Sequence, residues 1–447
     1  MTGERDQVAA DLDRLARDSD RSPDTTAAGA VYRRLGVEPI INGRSTFTIL
    51  GGSLMPPEVL DAMREAAACF VDLTELGAAV GRRLADLTRN EAAFVSGGAA
   101  AGLFLSAAAC MARRTDDGVL RPADLDHYPR DFVIHRAHRV PYDAVVELAG
   151  GRLVEIGPAI GAATAARTGV DAVGVAGPKT EQELEDALGP GTAAILYVPK
   201  PHLESQVLPL PTLVEAARRH EVPVIVDAAA QLPPRANLWR FTREGADLVL
   251  FSGGKALCGP ASSGLVLGRT DYVGRVAANA APLHRPGRPM KVGKEDMVGL
   301  LAAVEWYLAQ DEAEESRRFE AIVDHLVRWG RTRDDVTVTR APYGEAGQPT
   351  PRAHIRLARA EPGYRDALLT SLRRSPPRID LLADDDVGFY VAPETLQVGE
   401  EVVIAERLAA ELERDRAELE QNAAAADPSA ATDRTDAALA SGRDPAE

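Results

Sequence analysis

The sequence predicts an α/β fold, with a mostly parallel sheet covered by helices on both faces and a smaller α+β unit after it. Three observations lead there. Short apolar, β-branched runs alternate with helical patterns over most of the chain, the arrangement of βαβ units. At 447 residues and 45% hydrophobic content the chain is long enough for a large core. Beyond a long helix near 295–330 the rhythm changes to closely spaced strands and helices.

Taken in order, residues 1–30 are polar and end in "SPDTTAAGA", which reads as a mobile arm or a short helix. Helical patterns follow at 57–70, 77–89, 98–113, 181–188, 211–220 and 295–309. Between them stand "FVIH" (132–135), "RLVEI" (152–156), "AAILYV" (193–198), "PVIVD" (223–227), "DLVLF" (247–251) and "GLVLG" (264–268), each a buried-strand pattern. The later unit is written as "VTVTR", "AHIRLA", "YRDALLTSLRRS", "FYVAP" and "EVVIAERLAAELERD". The domain expectation is a mobile arm over 1–30, a large domain over 31–325 and a small C-terminal α+β domain over 326–415. Residues 416–447 are expected to be disordered, because "QNAAAADPSAATDRTDAALASGRDPAE" holds almost no large apolar side chain to offset the entropy of ordering.

Charge and cysteine usage narrow the function. The chain carries 51 basic and 67 acidic residues, a net charge of −16, which disfavours a nucleic-acid surface. Cys69, Cys110 and Cys258 are three in number and unevenly spaced, as for reduced thiols rather than a disulfide framework. No window has the ~18 unbroken apolar residues of a membrane span, and "MTGERDQVAADLDRLARD" lacks the apolar centre of a signal peptide. A cytoplasmic protein is expected.

Lysine is rare here. It occurs only at Lys179, Lys200, Lys255, Lys291 and Lys294; all other basic residues are Arg. Lys255 is the one that follows an apolar strand into a Gly/Ser turn, "ADLVLFSGGKALCGPASSGLVLG". It reads as a snorkelling core lysine or as a reactive amine. Asp227 closes another apolar strand and reads as a helix N-cap, a salt-bridge partner or a ligand carboxylate. "FVSGGAAAGL" (94–103) sets Ser96, Gly97, Gly98 and Ala99 before a run of small helix formers, either a close-packing surface or an anion cradle. Together these three fit pyridoxal 5'-phosphate, which needs an amine for its aldehyde, a carboxylate for its ring nitrogen and a cradle for its phosphate. On this reading Lys255 forms the Schiff base, and Ser252 adds a hydroxyl to the phosphate.

"PIINGRSTFTILGGSLMPPEVLDAM", "AAVGRRLADLTRNEAAFVSGGAAAGLFLSAAACMA", "VDAAAQLPP", "LVLFSGGKALCGPASSGLVLG" and "GRPMKVGKEDMVGLLAAVEWYL" resemble the family of D-glucosaminate-6-phosphate ammonia-lyase, itself similar to bacterial selenocysteine synthase. The resemblance covers roughly 31–415. It implies an aspartate-aminotransferase-like fold (fold type I), with a pyridoxal-phosphate-binding large domain and active sites at the interface of a homodimer or larger assembly. It further implies that His138 in "HRAHRVPYD" stacks on the cofactor ring, and that Asn42 and Gly43, in the 31–60 segment, line the substrate cavity. Arg288 and Lys294 in "GRPMKVGKE" resemble a segment that approaches the neighbouring subunit's site. Arg352 is a candidate for a substrate carboxylate. Only about 30 residues precede the match, where selenocysteine synthases carry a tRNA-gripping domain. Cys258, beside Lys255, has no counterpart in this reading.

The expected activity is α,β-elimination on a small amino acid or amino sugar acid, giving a 2-oxo acid and ammonia. The alternatives are an aminotransferase, a seryl-tRNA-type β-replacement enzyme, and a non-catalytic scaffold; the Asp227–Lys255 pair speaks against the last.

Overall fold

Alternating side chains on a few buried strands organise the molecule. The computed structural model describes residues 29–158 and 178–426. Its strands are β1 (Ile40–Gly43), β2 (Ala92–Ser96), β3 (Asp131–His135), β4 (Arg152–Ile156), β5 (Thr192–Tyr197), β6 (Val224–Asp227), β7 (Leu248–Ser252), β8 (Gly264–Gly268), β9 (Val336–Ala341), β10 (Arg352–Leu357), β11 (Arg378–Ala383) and β12 (Gly388–Val391). Seven of them form one sheet in the order β2-β8-β7-β6-β5-β3-β4. Strands β4, β3, β5, β6 and β7 run parallel, and β8 is antiparallel to both β7 and β2.

Because successive strand residues point to opposite faces, two cores result. Val133, Ile195, Val224, Val226, Val249, Phe251, Leu265 and Leu267 pack on one face with Leu84, Leu213, Leu300 and Val304 from the helices Leu73–Thr88, Leu210–Arg219 and Lys294–Ala309. Phe132, Ile134, Leu196, Ile225, Leu248, Leu250 and Val266 pack on the other, against the helices Ala99–Met111 and Thr270–Asn279. Helix Ala99–Met111 is buried along almost its whole length. Its small residues permit this: a Cβ at Gly102 would lie 3.0 Å from Ser96 Oγ and 3.1 Å from Val266 Cγ2.

Two sequence expectations change. The segment before the Gly97–Gly98 turn is a strand, β2, paired with β8 from Ala92↔Gly268 to Ser96↔Gly264. Its "AAFVS" places its two large residues, Phe94 and Val95, side by side, so no alternation registers as a strand pattern. The long helix near 295–330 is two helices, Lys294–Ala309 and Glu312–Gly330. Asp311 breaks it by adopting extended backbone (φ −86, ψ 102) and accepting the N–H groups of Ala313 and Glu314, an N-cap that restarts the helix.

Contacts divide the described residues into two units. One holds residues 29–42, 366–380 and 407–426. In it the buried Glu411 carboxylate accepts from Ser371 Oγ at 3.0 Å and Arg407 Nη2 at 2.8 Å, so its burial is compensated. The other holds the described part of 43–365 together with 381–406, and contains the whole seven-stranded sheet. In this unit β10 pairs antiparallel with β9 and β12, and Leu382 and Ala383 of β11 pair with β12. Helix Glu400–Ala426 continues past the expected boundary at 415. The expected arm over 1–28 and tail over 427–447 lie outside the described residues. No helix among the described residues is long and apolar enough to cross a membrane.

Candidate active site

Strand register alone gathers most of the candidate residues. Ser96 pairs with Gly264, and Gly264 with Ser252, so β2 and β7 end beside the start of β8. Asp227 pairs with Leu250 on the next strand. Ser252 N–H donates to Ala229 O at 3.3 Å, which ties the exit of β7 to that of β6. The ends of β6 and β7 are carboxyl ends of parallel strands, where open α/β sheets bind ligands.

Lys255 follows β7 in a turn that only small residues can make. Gly253 N–H donates to Ser263 O (2.9 Å), Gly259 N–H to Gly253 O (2.8 Å) and Cys258 N–H to Lys255 O (2.8 Å). A Cβ at Gly253 would stand 2.0 Å from Ser263 Oγ, and one at Gly254 2.6 Å from Ala261 Cα. The turn puts Lys255 into a cavity lined also by Ser53, Ala229, Ser252, Cys258 and Glu315. Lys255 Nζ is 3.9 Å from Glu345 Oε1. Asp227 Oδ1 accepts Ala229 N–H at 3.1 Å; burial pushes its carboxyl pKa up, against the pull of that N–H and of the Lys255 charge. Such a carboxylate is short of positive charge. Burial likewise lifts the Cys258 thiol to about 11, so it is an un-ionised lining group at neutral pH.

Gly98 precedes helix Ala99–Met111 with φ 112 and ψ 161, a conformation reserved for glycine, and no side chain caps the helix. Ser96 Oγ is used locally, donating to Gly98 O at 2.8 Å. The donors this turn offers are therefore peptide N–H groups, those of Gly97, Gly98 and Ala99. A Cβ on Gly97 would lie 3.0 Å from Met290 O, and one on Gly264 would lie 2.4 Å from Gly98 C, so side chains are excluded from both sides of it.

The other wall comes from far along the chain. Gln348, Thr350 and Glu394 line the same cavity, with Thr46 from the N-terminal segment. Gln231 Nε2 donates to Ala346 O at 3.0 Å and fixes the loop that carries Glu345. Arg352 is buried, donates from Nε to Tyr343 O at 2.8 Å and lies 3.9 Å above the Tyr390 ring. Ser45 Oγ donates to Glu394 Oε1 at 2.6 Å, while Glu394 Oε2 is buried without a hydrogen-bond partner. Burial pushes both Glu394 and Glu315 above the usual carboxylate range.

His138 follows β3 in the short turn Arg136–His138, fully buried, with its ring edge-on to Tyr197 at 4.6 Å and neither ring nitrogen hydrogen-bonded. Burial holds it well below the usual histidine range, so it is neutral. Lys200 Nζ anchors this turn by donating to Ala137 O (2.9 Å) and Arg139 O (3.0 Å). Gly43 O accepts Ala392 N–H at 2.8 Å beside β12, whereas Asn42 belongs to the other contact unit. Arg288 is exposed. Lys294 is not free: its Nζ donates to Ala66 O (2.5 Å) and to Glu295 Oε1 (2.6 Å).

Register and cavity thus bring together Asp227, Ser252, Lys255 and the Ser96–Ala99 turn. Glu315, Glu345, Glu394 and Lys200 were not foreseen from sequence. The available signal for Glu394 was a carboxylate set directly after the apolar strand in "FYVAPETL".

The family profile described as L-seryl-tRNA selenium transferase (SelA) matches residues 41–323. A 5'-C-glycyluridine monooxygenase-decarboxylase of a Streptomyces species is 37% identical over 288 residues, 63% of this chain and 66% of the relative, so the chain spans a little under two thirds of that protein. A D-glucosaminate-6-phosphate ammonia lyase of Salmonella typhimurium is 33% identical over 282 residues, 62% of this chain and 70% of the relative. A solved structure of D-glucosaminate-6-phosphate ammonia-lyase superposes with a TM-score of 0.71 at 28% identity, covering 87% of this chain and 99% of that one. The fold is the aspartate-aminotransferase-like one of fold type I that the sequence resemblance implied.

Proposed function

The chain belongs to the L-seryl-tRNA selenium transferase family, and we propose that within it this protein is a pyridoxal-phosphate-dependent lyase. Its substrate is a small amino acid or amino sugar acid, and its products are a 2-oxo acid and ammonia. The observation that carries this reading is Lys255, turned by a glycine-only loop into a cavity at the strand edge that also ends in Asp227. When bound, pyridoxal phosphate supplies an aldehyde for an amine and a ring that withdraws electrons from the substrate α-carbon.

Lys255 Nζ would hold the cofactor through its aldehyde and would serve as the base for the substrate α-proton. Asp227 holds a proton on the ring nitrogen; its buried carboxylate, short of positive charge, gains a partner in doing so. The N–H groups of Gly97, Gly98 and Ala99 and the hydroxyl of Ser252 bind the phosphate, with Ser96 shaping the turn. His138, neutral and apolar-faced, packs on the ring. Arg352 keeps its Nη donors for the substrate carboxylate, and Gly43 borders the substrate. Arg288 reaches the site of a neighbouring copy in a homodimer or larger assembly; Lys294, already engaged, positions its own helix. The protein works in the cytoplasm.

The test is a panel of α-amino acids and amino sugar acids offered to the loaded enzyme without a 2-oxo acid acceptor. Stoichiometric 2-oxo acid and ammonia support the lyase; turnover only with an acceptor makes it an aminotransferase. A seryl-tRNA-type transfer is supported less, given the charge of −16. The 37% identity to the glycyluridine enzyme favours a second reading, oxidative decarboxylation of an amino acid, which the same panel reveals as oxygen uptake and carbon dioxide release without ammonia.

A further inference from the structure

We propose that Tyr390 is a positioning residue: its ring holds the Arg352 guanidinium off the Glu394 carboxyl group, so that Arg352 stays open to a carboxylate on the ligand. This rests on the part given to Arg352 in the lyase reading above and adds what keeps it available. Arg352 and His354 lie on one face of β10, and His354 pairs across to Tyr390 of β12. The Arg352 guanidinium lies 3.9 Å above the Tyr390 ring, and its Nε donates to Tyr343 O at 2.8 Å. The ring is itself pinned. His354 stacks on it at 4.5 Å, and its hydroxyl donates to Asp384 Oδ2 at 3.3 Å.

Glu394 is the competitor. Its charge acts on Arg352, and that of Arg352 acts on it. Its Oε1 takes the Ser45 hydroxyl at 2.6 Å, while its buried Oε2 meets no donor. A buried guanidinium and an oxygen short of a donor attract strongly where the local dielectric is low. Burial pushes Glu394 toward its neutral form, and contact with the guanidinium would ionise it again. Drawn onto Glu394, Arg352 would spend its paired donors inside the protein. Held by a ring face, it donates no hydrogen bond there, and its edge remains for an anion.

The test uses the cofactor-loaded full-length protein, serine in both enantiomers, and ethanolamine, which differs from serine by its carboxylate alone. Dissociation constants are read from the cofactor absorbance. Wild type should bind one serine enantiomer at least about tenfold more tightly than ethanolamine. Tyr390→Leu should weaken that serine about tenfold and ethanolamine less than about twofold. In a Glu394→Gln background the same change at Tyr390 should weaken serine no more than about threefold, because the competing carboxylate is gone. A general loosening of the fold would instead cost both ligands alike, in both backgrounds. Where Tyr390→Leu does not fold, a crystal structure of the loaded wild type with serine takes its place. It should show the serine carboxylate on Arg352, with the guanidinium still over Tyr390. Arg352 paired with Glu394 in that complex, or a carboxylate held elsewhere, overturns the proposal. So does undiminished serine affinity in Tyr390→Leu, an equal loss in both backgrounds, or a wild type with no preference for serine, binding of neither ligand included. Ammonia release from the amino acid panel alongside any of these leaves the lyase reading standing. The expected results without ammonia from any amino acid support this inference and sink the lyase reading.

Discussion

The two walls of the Lys255 cavity are built by opposite rules. The strand-edge wall is local: Ser96, Gly264 and Ser252 are fixed by register, and Lys255 and Asp227 sit within two short turns closed by backbone hydrogen bonds. The facing wall is assembled from residues as far apart as Thr46, Glu315, Gln348 and Glu394, and it keeps a buried carboxylate oxygen with no partner. The first wall is complete as folded except for a positive partner to Asp227. The second is complete only when something else donates to it. Under the proposed function the reaction machinery belongs to the strand edge, and the choice of substrate to the wall opposite.

Asp227→Asn should have the largest effect. It keeps the shape of the first wall and removes the charge that holds the ring nitrogen protonated, so cofactor binding should persist while kcat falls at least about a hundredfold. Near-normal turnover would mean that the walls do not divide their labour in this way. Gly97→Ala comes next: the new Cβ would meet Met290 O at 3.0 Å inside the cradle. Forced crowding of this kind costs about 1–3 kcal/mol, and cofactor affinity, measured by equilibrium dialysis, should weaken about tenfold or more.

The second wall should show itself in stability against pH. Burial raises the folded-state pKa of Glu394 and Glu315 above the unfolded value of 4.5. The folded state then holds those protons more tightly than the unfolded one. Their contribution to stability is complete below 4.5 and is lost as pH climbs through the raised values. Glu394→Gln should therefore raise the melting temperature of the cofactor-loaded protein by a few degrees at pH 8 and hardly at all at pH 4. Asp227 is shifted in the same direction, but loading with cofactor should cancel its penalty, so cofactor should flatten one wall's pH dependence and leave the other's. An equal gain at both pH values would contradict the assignment. The smallest effect belongs to Glu345→Gln: a partly exposed pair at 3.9 Å contributes about 1 kcal/mol or less, and turnover should change no more than about fivefold.

The same division explains what could be read in the sequence. Lys255, Asp227 and the Ser96–Gly97–Gly98 turn each announce themselves within a few residues, as a polar group or glycine set at the end of an apolar run. The sheet was legible for that reason too, down to the strands at 223–227, 247–251 and 264–268. Strand β2 was not among the strand patterns, because the large residues of "AAFVS", Phe94 and Val95, are adjacent and mark no alternation. Glu345 and Glu394 were hidden for a different reason. Glu345 lies in an irregular loop whose placement depends on Gln231, over a hundred residues earlier, and Glu394 gains its meaning from Ser45 and from burial by remote segments. No local spacing encodes such a meeting.

The proposed function stands or falls with Lys255 as the residue that carries the cofactor at the strand edge. Borohydride reduction of the pyridoxal-phosphate-loaded protein, followed by peptide mass spectrometry, tests it most directly. One pyridoxyl group per chain is expected, on the peptide containing Lys255, and none in Lys255→Ala. Recovery of the group on Lys200, Lys291 or Lys294, or no reducible attachment in a protein that binds the cofactor, would contradict it.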